Sequence, residues 1–316
     1  MSKILVIRGG AIGDFILTLP VLSALRQQFP NAKLEVLGYP RIAQLAVAGR
    51  LADAVRSIEA RPLAGFFARG ATLDPELQEY FASFAIIISY LYDPDGVFET
   101  NVRRSCKGQF IAGPHRPDES KNEHATAVFL EPLKRLAIFD ADPVPRLALS
   151  ESRTPSSPRS GRIAIHPGSG SEKKNWPVEK WVELARKLLA ENDVSLLVLG
   201  GEADGGRIDA LKAGLLPDRL EIAFNVPLPI LARRLSECSL FIGHDSGITH
   251  LAAAAGVPTL ALWAETSDII WKPPGNQVTL VRSPTGLGGL EVQTVADLVR
   301  TRHIGGQPVI GAHIKL

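Results

Sequence analysis

Four short loops in this sequence combine glycine with residues able to bind or move a proton, a phosphate or a hydroxyl group. The first reads Arg8-Gly-Gly-Ala-Ile-Gly-Asp14. Its glycines, Gly13 among them, permit a tight turn and close approach of a ligand to the backbone. Asp14 is its only carboxylate, suited either to capping a helix N-terminus or to taking a proton from an attacking hydroxyl as a general base. The second loop, His166-Pro-Gly-Ser-Gly-Ser171, runs on into Lys173-Lys-Asn-Trp-Pro177. Gly168, Ser169 and Gly170 can turn N–H groups and a hydroxyl toward an anion. Lys174 stands close to a helix start, where a cation opposes the helix dipole unless an anion joins it; the alternative is a solvated lysine. Trp176 reads as a packing residue. The third loop, Gly243-His-Asp-Ser-Gly-Ile-Thr-His250, leads from a strand to a helix. Ser246 and Gly247 can offer N–H groups to a phosphate at that helix N-terminus. Asp245 would repel such a phosphate head-on, so it is expected to cap the helix or to accept from sugar hydroxyls. His250 lies one turn into the helix, where a histidine ordinarily packs. His244, Asp245 and His250 lack the spacing that sets metal ligands on one face, and no metal site is expected. The fourth loop, Gly200-Gly-Glu-Ala-Asp204, offers Glu202 or Asp204 either to ribose hydroxyls or to solvent.

Each of these loops follows a short apolar run. Residues 4–7, 34–37, 85–89 and 109–112 read as strands, the buried kind found in parallel sheets, with helical patterning over 15–29, 42–48 and 124–136. Pro20 is expected to open or kink the first helix. The stretch 150–160 is polar, rich in serine and proline, and has no apolar face to bury, so it reads as a linker. A second series then begins, with strands at 162–166, 194–199, 240–243 and 257–263 and helices at 177–190, 208–213, 250–255 and 292–302. Trp181, Leu184, Ala185, Leu188 and Leu189 form one buried helical stripe. Gly256 suits the left-handed residue that closes a helix. Alternation in both halves implies two doubly wound α/β domains, 1–152 and 161–316, facing a central cleft, with ligands held at the carboxyl ends of the strands. The first loop is not a dinucleotide fingerprint, since position 11 is Ala and no acid ends the second strand at Gly38-Tyr39; a Walker A pattern is also absent.

Composition narrows the function further. At 316 residues and 45% hydrophobic, the chain can fill two cores. A formal net charge of +2 gives no broad basic face for nucleic acid. Arg103, Arg104, Lys107, Arg116 and Lys121 make a loosely basic stretch, diluted by Asp118 and Glu119, that suits solvent or an acidic saccharide. Cys106 and Cys238 are too few for a disulfide framework and fit a reducing compartment. No apolar stretch matches a signal peptide or a membrane span of roughly 18 residues. A cytoplasmic protein is expected, with peripheral contact at the inner face of a membrane left open.

Gly13-Asp14 with Thr18-Leu-Pro20, then Lys174-Asn-Trp-Pro177, then Asp245-Ser-Gly-Ile-Thr-His-Leu-Ala-Ala-Ala254 resemble, in order, the motifs of glycosyltransferase family 9, the ADP-heptose:lipopolysaccharide heptosyltransferases. The resemblance implies a GT-B fold, in which the late helix often crosses back to the N-terminal domain. It implies an inverting, metal- and cofactor-independent transfer from ADP-L-glycero-D-manno-heptose to a lipopolysaccharide-core or related acceptor, a saccharide or a lipid-linked saccharide. By the same resemblance Asp14 is the base, Ser169, Gly170 and Lys174 hold the donor phosphates, and Asp204 lies near the nucleoside. Asp245 binds the sugar, while Ser246, Gly247 and His250 complete the donor site. Two departures stand out. Residues 264–268 read Ala-Glu-Thr-Ser-Asp where the family has Gly-Pro-Thr-Asp-Pro, and residues 62–116 carry no family motif. The rival readings are another nucleotide-sugar enzyme of this architecture, such as a 2-epimerase, and a non-catalytic nucleotide-sugar-binding module.

Overall fold

A computed structural model describes residues 2–149, 160–191, 193–215, 217–303 and 313–315. The chain divides into two compact units, Met1–Leu147 and Ala148–Leu316. Apart from Ser160, the polar stretch that the sequence marks as a linker lies outside the described residues.

The first unit alternates strand and helix: β1 (Lys3–Arg8), α1 (Ile12–Gln28), β2 (Lys33–Gly38), α2 (Pro40–Ala48), β3 (Ala54–Ser57), α3 (Pro75–Ala82), β4 (Ile86–Ser89), α4 (Val97–Arg103), β5 (Gln109–Ala112) and α5 (Ala125–Leu130). Its five strands are parallel, in the order β3-β2-β1-β4-β5. The order reverses between β1 and β4, the place where such a sheet leaves a crevice beyond its carboxyl ends. The sheet is covered on both faces, so Ile4, Leu5, Val6 and Ile7 of β1 are all buried. Helix α1 has no polar face along its middle: every residue from Phe15 to Leu22 is buried, beside α2 and α5. It begins three residues earlier than periodicity predicts, and Pro20 sits in its interior rather than opening it. The helix expected across 124–136 is two pieces, α5 and then a 3-10 turn at Glu131–Leu136. Pro132 explains the change, since it has no N–H to donate and crowds the residue before it.

The second unit continues with β6 (Ser160–His166), α6 (Val178–Glu191), β7 (Ser195–Gly200), α7 (Gly205–Gly214), β8 (Leu220–Phe224), α8 (Leu228–Ser236), β9 (Cys238–His244), α9 (Gly247–Ala254), β10 (Thr259–Leu262), α10 (Asp268–Trp271), β11 (Val278–Arg282), α11 (Val292–His303) and β12 (His313–Lys315). These strands are also parallel, ordered β12-β11-β10-β9-β6-β7-β8, with the reversal between β6 and β9. Trp181, Leu184, Ala185 and Leu188 of α6 form the predicted stripe. They share one core with Val292, Val295, Ala296 and Val299, so the last helix spends its apolar face within the second unit. Gly256, at φ +75°, closes α9. Among the described residues, no helix is long and apolar enough to cross a membrane.

Candidate active site

Where β1 ends at Arg8, the chain turns through Gly9 and Gly10 into α1. Gly10 has φ +98°, and a Cβ there would lie 3.0 Å from an Asp14 carboxylate oxygen. Glycine is needed on both counts. The cap position of α1 is Ala11, and Asp14 is the third helical residue. Asp14 Oδ2 reaches back to accept the Ala11 N–H at 3.1 Å, which leaves the carboxylate at the helix mouth with its side chain 33% exposed. Arg8 is buried beneath it. One guanidinium nitrogen donates to the His115 carbonyl at 2.8 Å; the other donates to the Asp14 carbonyl at 3.3 Å and stands 3.9 Å from Asp14 Oδ1. The cation also lies 4.5 Å from the centre of the Phe129 ring. Burial pulls the Arg8 pKa below its ordinary value, against the opposing pull of Asp14 and Tyr90. Asp14 and Arg8 line a cleft of about 580 Å³ with Tyr39, Phe67, Tyr92 and His115, at the carboxyl ends of the strands.

In the second unit β6 and β9 are neighbours, so the loops that leave them run side by side. His244, the last residue of β9, is fully buried and joins those loops. Its Nε2 accepts the Trp176 N–H at 2.8 Å, and its Nδ1 faces the Gly168 carbonyl at 3.2 Å. That pair of partners requires the neutral ring with the proton on Nδ1. Burial pushes the His244 pKa down to about 3, opposed by the Gly168 bond and assisted by the nearby His166 and Arg207. Gly168 has no room for a side chain, since a Cβ would lie 1.7 Å from Asp204 Oδ1. Asp204 is buried too; its Oδ2 accepts the Gly201 N–H at 2.8 Å and lies 3.6 Å from His166 Nε2. Burial raises the Asp204 pKa, but His166 and the Gly201 N–H outweigh it and the net shift is downward.

Ser246, rather than Asp245, caps α9, its hydroxyl accepting the Thr249 N–H at 3.4 Å. Asp245 pairs instead with Lys174, whose Nζ lies 2.6 Å from Asp245 Oδ2. The anion that offsets Lys174 is thus supplied by the chain itself. Asp245 is almost buried, whereas the Lys174 side chain stays 35% exposed and open to a second anion. Ser169 folds back on its own loop, donating to the Ser171 carbonyl at 2.8 Å and accepting the Ser171 N–H at 3.2 Å. Buried polar groups therefore hold a glycine loop and a helix N-terminus around one accessible cation, an arrangement able to bind an anionic group.

Residues 137–293 match the family model described as glycosyltransferase family 9 (heptosyltransferase). The chain is 23% identical over 299 residues to lipopolysaccharide heptosyltransferase 3 of Escherichia coli, covering 84% of each chain. It superposes on the E. coli heptosyltransferase WaaC with ADP at a TM-score of 0.74 and 18% identity, over 95% of this chain and 99% of that one. A family 9 glycosyltransferase from Veillonella parvula gives 0.77 at 18% identity, over 96% and 98%. The chain is a family 9-like glycosyltransferase. Its α/β fold is of the GT-B type.

In this family 9-like chain the site residues read from sequence fall into two groups. Gly13 and Asp14 belong to the first unit's cleft-side helix mouth. Ser169, Gly170, Lys174, Asp245, Ser246 and Gly247 belong to the loops at the β6–β9 reversal, and His250 is buried one turn into α9. Asp204 also lies at that reversal, but its carboxylate is turned inward onto Gly168, Gly201 and His166 instead of standing ready for a ribose. The basic stretch is largely paired off: Arg103 with Glu99, Arg116 with Glu119, Lys121 with Asp118, and Arg104 with the Ala71 carbonyl. Three residues central to the geometry have no such role in the sequence reading: Arg8 and His166, which it assigns none, and His244, which it weighs only as a metal ligand. Each is the polar residue that ends an apolar strand immediately before a glycine-bearing loop, and that position is the signal by which they can be found.

Proposed function

We propose that this glycosyltransferase moves a heptose from ADP-L-glycero-D-manno-heptose to a lipopolysaccharide-core or related lipid-linked saccharide, with inversion at the anomeric carbon. The donor and acceptor classes are argued from likeness to the heptosyltransferases. The observation that carries the reading is the Lys174–Asp245 pair, which sets an accessible cation beside a sugar-binding type of carboxylate at the N-terminus of α9. Lys174 and the N–H groups of Ser246 and Gly247 take the donor diphosphate, and Asp245 accepts hydroxyls of the transferred sugar. The acceptor oxygen forms its bond to the anomeric carbon as the bond to the diphosphate oxygen breaks. Asp14 receives the acceptor's proton, and ADP leaves with its new negative charge offset at Lys174 and the helix N-terminus. Written this way, the reaction needs neither a metal ion nor a cofactor. A lipid-linked acceptor would bring the enzyme to the inner face of a membrane.

A thermal-shift panel of nucleotide sugars tests the donor. Binding to the folded state raises apparent stability, so ADP-heptose is expected to raise Tm, with UDP-N-acetylglucosamine and GDP-mannose far less effective. Equal stabilisation by all three, or by none, would sink the donor assignment. Incubation of ADP-heptose with a deacylated lipopolysaccharide-core saccharide, followed by mass spectrometry, tests the transfer.

A further inference from the structure

Large apolar side chains stand exposed at six places among the described residues. Single exposed apolar residues are ordinary, but two of these, Phe67 and Tyr92, line the same cleft as Asp14. Phe67 is 47% exposed and Tyr92 is 69% exposed. Neither ring is loose. Phe67 stacks on the buried Phe98 with centroids 4.9 Å apart and planes at 28°, and Tyr92 meets His115 edge-on at 4.7 Å. Phe98 belongs to the core of the unit, so the Phe67 ring is backed by a packed residue. Both rings lie within residues 62–116, the stretch that carries no family motif.

A pyranose has this same division of character, with a face of C–H bonds and an edge of hydroxyls. Aromatic faces carry negative charge density that attracts C–H groups, and a carboxylate attracts the hydroxyl edge. The cleft, about 580 Å³, is in the size range of small-ligand sites. We infer that Phe67 and Tyr92 are the platform of an acceptor-sugar subsite: their rings take the C–H face of the acceptor's terminal pyranose and turn one hydroxyl of it toward Asp14. This rests on the reading of Asp14 as the base. It adds the residues that choose the acceptor.

The test measures binding without transfer, so it separates failure of the platform from failure of the base. The probe is a deacylated lipopolysaccharide-core saccharide added to the full chain without donor, observed by saturation-transfer NMR and titrated for Kd. In the wild-type protein, saturation should fall most strongly on the ring C–H protons of one pyranose. Tyr92→Ala and Phe67→Ala should each weaken binding by roughly three- to tenfold, the worth of one aromatic contact. Tyr92→Phe, which restores the ring, should recover most of that loss. Phe139→Ala, an exposed ring outside the cleft, should leave Kd unchanged. In turnover assays the two alanine variants should raise KM for the saccharide and leave KM for the donor alone. The inference is overturned by any of three results: no saturation transfer in the wild-type protein, Kd unchanged in both alanine variants, or a KM effect on the donor instead of the saccharide.

Discussion

The buried histidine that joins the loops leaving β6 and β9 should make the second unit sensitive to mild acid. In the folded chain His244 is neutral, its pKa pushed down to about 3 by burial; in the unfolded chain it titrates near 6.5. The folded state therefore binds fewer protons than the unfolded state between these values, so stability rises with pH across that window and is lost as pH falls below about 6.5. The loss amounts to about 1.4 kcal/mol for each pH unit below the unfolded value, hence about 2 kcal/mol at pH 5 relative to pH 8. At pH 5 the folded pKa is still far below, so that figure is set by the unfolded value. All four tryptophans, Trp176, Trp181, Trp263 and Trp271, lie in the second unit, so their fluorescence in urea follows that unit by itself. Other titrating groups change stability over the same range, and comparison with His244→Gln removes them. Gln can accept the Trp176 N–H and donate to the Gly168 carbonyl, but it cannot titrate. The wild-type second unit should lose about 2 kcal/mol more than His244→Gln between pH 8 and pH 5. Equal losses in the two proteins would refute the buried neutral ring. Were His244→Gln unable to fold, NMR titration of the wild-type imidazoles should show one that stays neutral down to pH 5.

Three further outcomes follow from the same geometry. Asp14→Asn keeps an acceptor for the Ala11 N–H, so the donor-induced rise in Tm should persist while turnover falls about 10²- to 10⁴-fold; full turnover would dismiss Asp14 as the base. Lys174→Ala should abolish most of the Tm rise given by ADP-heptose and should also lower the ligand-free Tm, because it leaves the nearly buried Asp245 carboxylate without its cation; an undiminished donor shift removes Lys174 from the phosphate site. Gly168→Ala drives a methyl group into Asp204, and tryptophan-detected urea unfolding should show the second unit destabilised by roughly 1–3 kcal/mol, while an unchanged midpoint would mean that Asp204 moves aside freely.

Much of the fold is legible in the sequence, because buried parallel strands are apolar runs and long helices carry a stripe. Ile4–Ile7 of β1 and the Trp181–Leu189 stripe of α6 are such cases. The elements that leave no such trace are short. Strand β3 has four residues and α4 has seven, too few for a period to repeat. The ends of elements depend on single bonds between backbone and side chain. Helix α1 starts at Ile12 because Asp14 bonds back to Ala11, and a periodicity that counts apolar residues cannot register that. The site was legible as a set of loops but not as a network. Spacing leaves Lys174 either beside an anion or in solvent; it does not show that Asp245, 71 positions later, is its partner. In the same way Asp204 looks like a free acid in a polar loop until Gly168 and His166 close on it.

The two units solve one problem in the same way, one with a charged side chain and the other with a neutral one. In each, a glycine loop leaves the central strand at the point where strand order reverses, and a buried polar side chain at a strand end grips backbone carbonyls nearby. Arg8 grips the carbonyls of His115 and Asp14, and His244 grips that of Gly168. The loops are therefore ordered when the units fold, and little ordering remains to oppose binding. Arg8 cannot lose its charge under ordinary conditions, so the carboxylate above it always has a cation beneath. His244 cannot keep a charge, since neither the Trp176 N–H nor the depth of burial tolerates a second ring proton. A charged ring there would have to break the bond that holds Trp176, one residue past Asn175 and two past Lys174. The segment that carries Lys174 is thus tied to a histidine that stays neutral.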